Sequence, residues 1–230
     1  MNGQKVIAYT CLFGGYDHWP QVPPLPDGVD LYIFTDLAGI PPEPWKISAK
    51  NHYPDVTPRR RSRYAKILAH EFLPQHDISI YFDANLRFKQ SFVEWAINQV
   101  AIEDIAIAPH PKTSCLYDEG AKCIRLGLDD GLTIQRQMDR YKKDGFPAGL
   151  GLTENSFIIR RNNLRMARLN IRWWSEYCIG SQRDQLSFMY ALWKTDILTV
   201  LRSLPVHARD NQFWTQTEHR KSRQVCQPRK

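Results

Sequence analysis

Asp83 and Asn85 are the residues whose placement first points to chemistry. Ile78-Ser79-Ile80-Tyr81-Phe82 is a short, almost wholly apolar run, and Asp83-Ala84-Asn85 follows it at once. A carboxylate with a second oxygen donor two residues on, at a strand end, is what a hard divalent cation bridging a diphosphate needs. Such a cation neutralises a leaving nucleoside diphosphate. Asp and Asn are also ordinary turn residues, and the pair reads equally well as a turn. Arg59, Arg63 and Lys66 recur at i, i+4 and i+7 in a helical stretch and so lie on roughly one face. At a helix N-terminus, guanidinium groups and backbone N–H groups together hold phosphate oxygens. A solvated charged face is the plain alternative. Gly14-Gly15-Tyr16-Asp17, after the first apolar run, lets a ligand approach the backbone. The chain has neither G-x-G-x-x-G nor a P-loop there, which argues against a dinucleotide fingerprint and an NTPase.

Other polar groups stand against apolar helices further along. Ser181-Gln182-Arg183-Asp184-Gln185 precedes a strongly apolar stretch, and Trp173-Trp174-Ser175-Glu176 sits in another. Asp184 at a helix start is stabilised by the helix dipole. It can cap the helix, orient a sugar hydroxyl, or serve as a base toward an acceptor hydroxyl. Trp173 and Trp174 cannot both face the core, so one is free to offer an aromatic platform. His110, between two prolines, and His207, after the last apolar run, are the histidines at suggestive positions. No H-E-x-x-H or G-x-S-x-G motif occurs, and the five cysteines form no C-x-x-C pair. Zincin chemistry, a nucleophilic serine elbow and a structural zinc site are therefore unsupported.

The elements that must position these residues alternate. Apolar runs at Val6–Phe13, Leu31–Thr35, Trp45–Ala49, Ile78–Phe82 and Ile105–Ala108 read as strands buried on both faces, as in parallel sheets. Helical patterns cover Pro58–Phe72, Ser91–Ala101, Asp130–Lys143, Asn163–Tyr177 and Arg183–Trp193, and Leu198–Leu204 is strand-like. The proline-rich stretches at 20–26 and 41–44 read as loops. This is an α/β chain with a mixed, mostly parallel sheet flanked by helices and a helix-rich C-terminal half. In such sheets ligands bind beyond the carboxyl ends of the strands, which is where Asp36, Asp83 and His110 fall. One domain over 1–205 and a basic tail over 206–230 are expected.

Composition sets the outer limits. With 230 residues, 43% of them hydrophobic and 12% aromatic, the chain can build a substantial core and is not a disordered class. No apolar run is long enough to cross a bilayer, and the first residues carry no signal-peptide pattern. A cytoplasmic location is the expectation, peripheral at the inner face of the membrane if the tail meets anionic lipid. The net charge of +7 is uneven. One cluster is Arg59, Arg60, Arg61, Arg63 and Lys66. In the last 29 residues Arg202, Arg209, Arg220, Lys221, Arg223, Arg229 and Lys230 face only Asp210 and Glu218. Nucleic acid, an anionic surface and mere solvation are all compatible with such clusters.

The ordered set of segments resembles a known family. Phe13-Gly14-Gly15-Tyr16-Asp17, Ile33-Phe34-Thr35-Asp36, Arg63-Tyr64-Ala65-Lys66, Tyr81-Phe82-Asp83-Ala84-Asn85, His110-Pro111, Gly145-Phe146-Pro147 and Ser181 to Phe188 resemble, in order, the TOD1/MUCI70 glycosyltransferase-like family. The resemblance runs from about Val6 to Leu204. It implies a GT-A-like, Rossmann-like fold and transfer of a sugar from a nucleotide-sugar donor to a glycan or glycolipid acceptor, in surface polysaccharide synthesis. It implies a divalent metal, Mn2+ or Mg2+, held by Asp83, Asn85 and a C-terminal ligand, His207. Phe13, Gly14, Gly15, Tyr16 and Asp36 would frame the nucleoside. Arg59, Arg63, Lys66, His110 and Arg183 would bind the rest of the donor, and Glu154, Glu176 and Asp184 would be the catalytic carboxylates.

Two other readings compete. A metal-dependent lipid amide hydrolase of the ceramidase type is implied by an activity attributed to a plant relative. A nucleic-acid-binding module would use the basic clusters, although no recognised binding motif accompanies them. The cluster at 59–66 fits an anionic donor better than a polynucleotide.

Overall fold

In the computed structural model, residues 3–48 and 56–219 are described. In chain order the elements are β1 (Val6–Leu12), β2 (Val29–Thr35), β3 (Lys46–Ile47), α1 (Pro58–Ile67), α2 (Ala69–Phe72), β4 (Ile78–Phe82) and β5 (Leu86–Phe88). Then come α3 (Val93–Gln99), β6 (Ile105–Pro109), α4 (Leu116–Arg125), α5 (Gly131–Lys143) and β7 (Thr153–Arg161). The last are α6 (Leu164–Ile179), α7 (Gln185–Lys194), β8 (Leu201–Ser203) and β9 (Trp214–Gln216). The chain forms two compact units, one of residues 1–98 with 209–230 and the other Gln99–Ala208.

In the first unit β1 pairs in parallel with β2 on one side and β4 on the other, and β2 pairs in parallel with β3. Every residue of β1 and β4 is buried, which explains why both read as unbroken apolar runs. The register sets Leu12 beside Thr35 and Tyr9 beside Tyr81, so β1, β2 and β4 end at one edge of the sheet. Gly14, Asp36 and Asp83 follow those three ends directly. Helix α1 starts with Thr57, whose hydroxyl accepts from the backbone N–H of Arg60, and with Pro58 in its first turn.

In the second unit β6 pairs antiparallel with β7 and parallel with β8. Helix α7 buries Leu186 to Leu192 without interruption and forms the centre of this core. The α/β architecture expected from the sequence, a mixed and mostly parallel set of strands with flanking helices, is present.

Several expected bounds change. The stretch 58–72 is two helices that break at Leu68, and the strand expected over 198–204 is a 3-10 turn followed by β8. Of Trp45–Ala49 only Lys46–Ile47 forms a strand, and Ala49 lies outside the described residues. Four elements had no expectation, the three-residue β5 among them. β7 hides because Thr153, Asn155, Ser156 and Arg160 are buried polar residues within it. α4 contains Gly120, where a Cβ would come 2.9 Å from the sulfur of Met138 on α5. β9 falls within the segment read as a tail and pairs antiparallel with β5. The bases of 220–230 lie outside the described residues. No helix among the described residues is long and apolar enough to cross a membrane.

Candidate active site

The first unit gathers the donor-binding candidates at the carboxyl edge of β1, β2 and β4. Gly14 has φ +66°, and a Cβ there would lie 2.7 Å from Pro58, so only glycine lets the turn after β1 pass so close to the start of α1. Asp36 fixes that turn: its Oδ1 accepts from the backbone N–H of Gly14 at 2.7 Å. Its Oδ2 faces Arg61 Nη1 at 3.4 Å. Arg61 was absent from the expected set and is the arginine of the α1 cluster seen tied to Asp36. Its four neighbours of like charge gave sequence reasoning no means to choose it.

Lys66 is not a surface cation. It is 2% exposed, and its ammonium lies 4.7 Å from the centre of the Tyr81 ring. Tyr81 in turn donates its hydroxyl to Asp83 Oδ1 at 2.5 Å. Burial raises the Tyr81 pKa well above its ordinary value, and the Asp83 charge adds to this. The phenol therefore stays protonated and remains a donor to Asp83.

Asn85 is 2% exposed and is tied to the segment after β9. Its amide donates to the Thr217 carbonyl at 2.5 Å, while its own carbonyl accepts from the backbone N–H and hydroxyl of Thr217. The side-chain Oδ1 is left buried with no hydrogen-bond partner. A buried amide oxygen in that state is costly, and cation coordination would satisfy it. This donor fits the expected metal. Among the described residues, no group of three His, Cys, Asp or Glu side chains is placed to hold one.

The segment after β9 also carries His219. Its Nδ1 lies 2.8 Å from Asp17 Oδ2, and its ring is 4.8 Å from that of Tyr16, which is 46% exposed. Burial lowers the His219 pKa, but the hydrogen bond and charge of Asp17, with a contribution from Asp83, more than offset it, and the net shift is upward. His219 is therefore within the electrostatic reach of Asp83. His207 is exposed and belongs to the second unit, whereas Asp83 and Asn85 belong to the first. Sequence reasoning missed His219 because β9, the strand that delivers it, is three residues long.

The second unit gathers another group. His110 accepts at Nδ1 from the backbone N–H groups of Lys112 and Thr113, which puts the ring proton on Nε2. That nitrogen lies 3.9 Å from Glu119 Oε2 and 4.0 Å from Glu154 Oε2, with the His110 side chain 2% exposed. Glu119, also unforeseen, receives Lys122 at 2.8 Å and the Cys123 thiol at 3.8 Å. Burial raises the Cys123 pKa, opposed by the neighbouring Arg183. Gln185 donates to the Thr153 carbonyl at 2.8 Å, which brings the start of α7, with Asp184, next to Glu154. Asp184 is 7% exposed, and its carbonyl accepts from the Trp173 indole. Glu154, Asp184, His110 and Arg183 thus belong to one neighbourhood.

Glu176 is held in a different arrangement. Its oxygens lie 2.5 Å from Arg140 and 2.5 Å from Arg172, and its side chain is 2% exposed. The Tyr141 hydroxyl adds a third bond, and the Tyr141 and Tyr190 rings stack at 3.6 Å under Arg140. A carboxylate with both oxygens paired to guanidinium groups joins α5 to α6.

A family model described as TOD1/MUCI70, glycosyltransferase-like domain, matches residues 42–219. No curated protein matches the chain. Among solved structures, the apo structure of the WbbM bifunctional glycosyltransferase superposes with TM-score 0.53 at 10% identity. The match covers 91% of this chain and 41% of WbbM, so the chain spans about two fifths of that protein's length. The galactosyltransferase LgtC, in complex with donor and acceptor sugar analogs, matches at TM-score 0.48 and 11% identity, over 86% of this chain and 72% of LgtC. At these identities the likeness to WbbM is one of fold.

Proposed function

The chain belongs to the TOD1/MUCI70 glycosyltransferase-like family, and from that premise we propose that it transfers a sugar from a nucleotide-sugar donor to a hydroxyl of a glycan or glycolipid acceptor. The observation that carries this reading is the edge where β1, β2 and β4 end together. It presents Gly14, Asp36 and Asp83 side by side, with the unpartnered Oδ1 of Asn85 buried beside them.

The turn Phe13 to Tyr16, pinned by Asp36, offers backbone and an exposed ring to the nucleoside. The N-terminal turn of α1, with Arg59 and Arg63, would meet phosphate oxygens with positive charge. Asp83 and Asn85 would hold a divalent metal, with His219, on the segment that Asn85 binds through Thr217, as the third ligand in place of His207. When bound there, such a metal would supply positive charge to a departing diphosphate. Lys66 acts through Tyr81, which orients Asp83. Glu154 and Asp184 are the carboxylates assigned to the acceptor hydroxyl, with His110 and Arg183 beside them. Glu176 is assigned a structural role.

Calorimetric titration with UDP-sugars and GDP-sugars, with and without Mn2+, tests the proposal. At least one donor should bind in a Mn2+-dependent manner, and Asp83→Ala should remove transfer. Failure of every nucleotide to bind, with the protein folded, overturns it.

A further inference from the structure

Helix α6 has a side that nothing in its own unit covers. Leu164, Arg168, Ile171, Ser175 and Ile179 are all exposed. Their spacing places them within one narrow arc of a helix with 3.6 residues per turn, along roughly 22 Å of its length. The three apolar members are far from marginal: Leu164 is 80% exposed, Ile171 55% and Ile179 65%. Soluble proteins scatter single exposed apolar residues, but a line of them on one helix marks a contact surface.

The flanks of the line differ. On one side lie Arg165 and Arg172, and on the other the half-buried Trp174 and Cys178, with the indole stacked on Tyr177. The acid of α6, Glu176, is buried next to that arginine flank, where it pairs with Arg172 and Arg140. At the N-terminal end of the line, Asn163 bonds Asp104 at 2.9 Å, which brings in the loop before β6 and with it Ile102, 88% exposed. The acids of that loop are already engaged: Asp104 lies 3.0 Å from Arg165 and Glu103 lies 3.7 Å from Arg202. The exposed arc therefore carries apolar groups and no unpaired acid; on its flank Arg165 is paired with Asp104 and Arg172 shares Glu176 with Arg140, and Arg168 is the base on the line itself.

We infer that this face of α6, extended by Ile102, rests on an anionic phospholipid bilayer. A helix whose apolar line is bordered by arginines and a tryptophan sinks shallowly into the headgroup boundary while its cations meet lipid phosphates. Trp at the border suits that boundary because its ring is apolar and its N–H is wet. The widely spaced line offers no continuous groove for a partner helix, and arginines along it would repel their counterparts in a second copy of the chain. Its end at Ile105 of β6 and Arg161 of β7 is the end of that sheet opposite His110, so docking there leaves the His110 group uncovered. The inference is independent of the glycosyl-transfer reading.

Vesicle co-sedimentation of the full chain, without nucleotide, tests it. Wild type should bind vesicles of phosphatidylcholine with phosphatidylglycerol, bind pure phosphatidylcholine much less, and lose affinity as salt rises. Arg168→Glu, and separately the pair Leu164→Ser with Ile171→Ser, should each weaken binding to the mixed vesicles by about tenfold or more. Thermal unfolding should not change, since these side chains are exposed. Three results overturn the inference. Wild type does not bind the mixed vesicles; binding is the same in both variants, which assigns it to the bases at 220–230; or sedimentation velocity shows a dimer that the variants dissolve, which makes the face a contact between copies.

Discussion

The imidazole Nδ1 of His219 lies 2.8 Å from the Oδ2 of Asp17, across 202 positions of sequence. This contact ties the segment after β9 to the turn after β1, and it places a titratable ring within the field of Asp83. The first unit closes on itself through it: residues near the start of the chain and residues near 219 share one edge of one sheet.

The contact has a definite pH signature in the metal-free protein. The ring's folded pKa is raised above its ordinary 6.5. Its stabilisation is therefore complete below the unfolded value and fades as pH rises through the folded one. His219→Ala should cost more stability at pH 6 than at pH 9, by about 0.5–1 kcal/mol for a pair that is partly exposed. An NMR titration of the ring should give a pKa above 6.5 in wild type and a lower one in Asp17→Asn. An unshifted ring, or one indifferent to Asp17→Asn, contradicts the pairing.

Gly14 should tolerate no side chain. With φ +66° and Pro58 at 2.7 Å from an added Cβ, Gly14→Ala must both strain its backbone and push α1 away. The loss expected in chemical unfolding is about 1–3 kcal/mol. Because Asp36 reaches the same N–H, donor affinity should fall with it. The control is Gly28→Ala, also at positive φ but with nothing within 4 Å: it should cost only the backbone part and leave donor affinity alone.

The distribution of what was legible follows from which forces act locally. β1 and β4 were plain because both faces are buried and nearly every residue is apolar, Thr10 and Ser79 excepted. The edge holding Asp36 and Asp83 was plain because parallel strands put their ends together. The division of labour among the charges was not. Arg59, Arg61, Arg63 and Lys66 look alike in sequence, yet Arg61 pairs with Asp36 and Lys66 is buried against Tyr81. That sorting depends on which long-range partner each one meets. Glu176 likewise shows no partner in the sequence beyond its own helix, and Arg140, 36 residues away, meets it only in the folded chain. The pair Trp173 and Trp174 behaves as neighbours on a helix must, one fully buried and the other at the margin.

Tyr81→Phe should separate positioning from packing. The ring stays over Lys66 and the fold should lose only about 1.5–3 kcal/mol, the value of a hydrogen bond to a charged group. Asp83 loses the donor that orients it, so Mn2+-dependent donor binding should weaken while metal-independent binding does not. Equal weakening of both would show that the hydroxyl supports the site only through the fold.

Glu176→Gln distinguishes a structural carboxylate from a catalytic one. The change keeps the shape and removes the charge that Arg140 and Arg172 share. Breaking a buried ion pair leaves cations uncompensated, although here both arginines are about a third exposed and water offsets part of the loss. The expected cost is about 2–3 kcal/mol in unfolding free energy. The turnover per folded molecule should stay within about twofold of wild type, because a group that holds α5 against α6 contributes no proton. Asp184→Asn should do the reverse, lowering turnover by about 100-fold or more with little change in stability. If Glu176→Gln lost turnover to the same degree while remaining folded, the acid–base assignment would pass to Glu176, and its two arginines would be devices that set its charge.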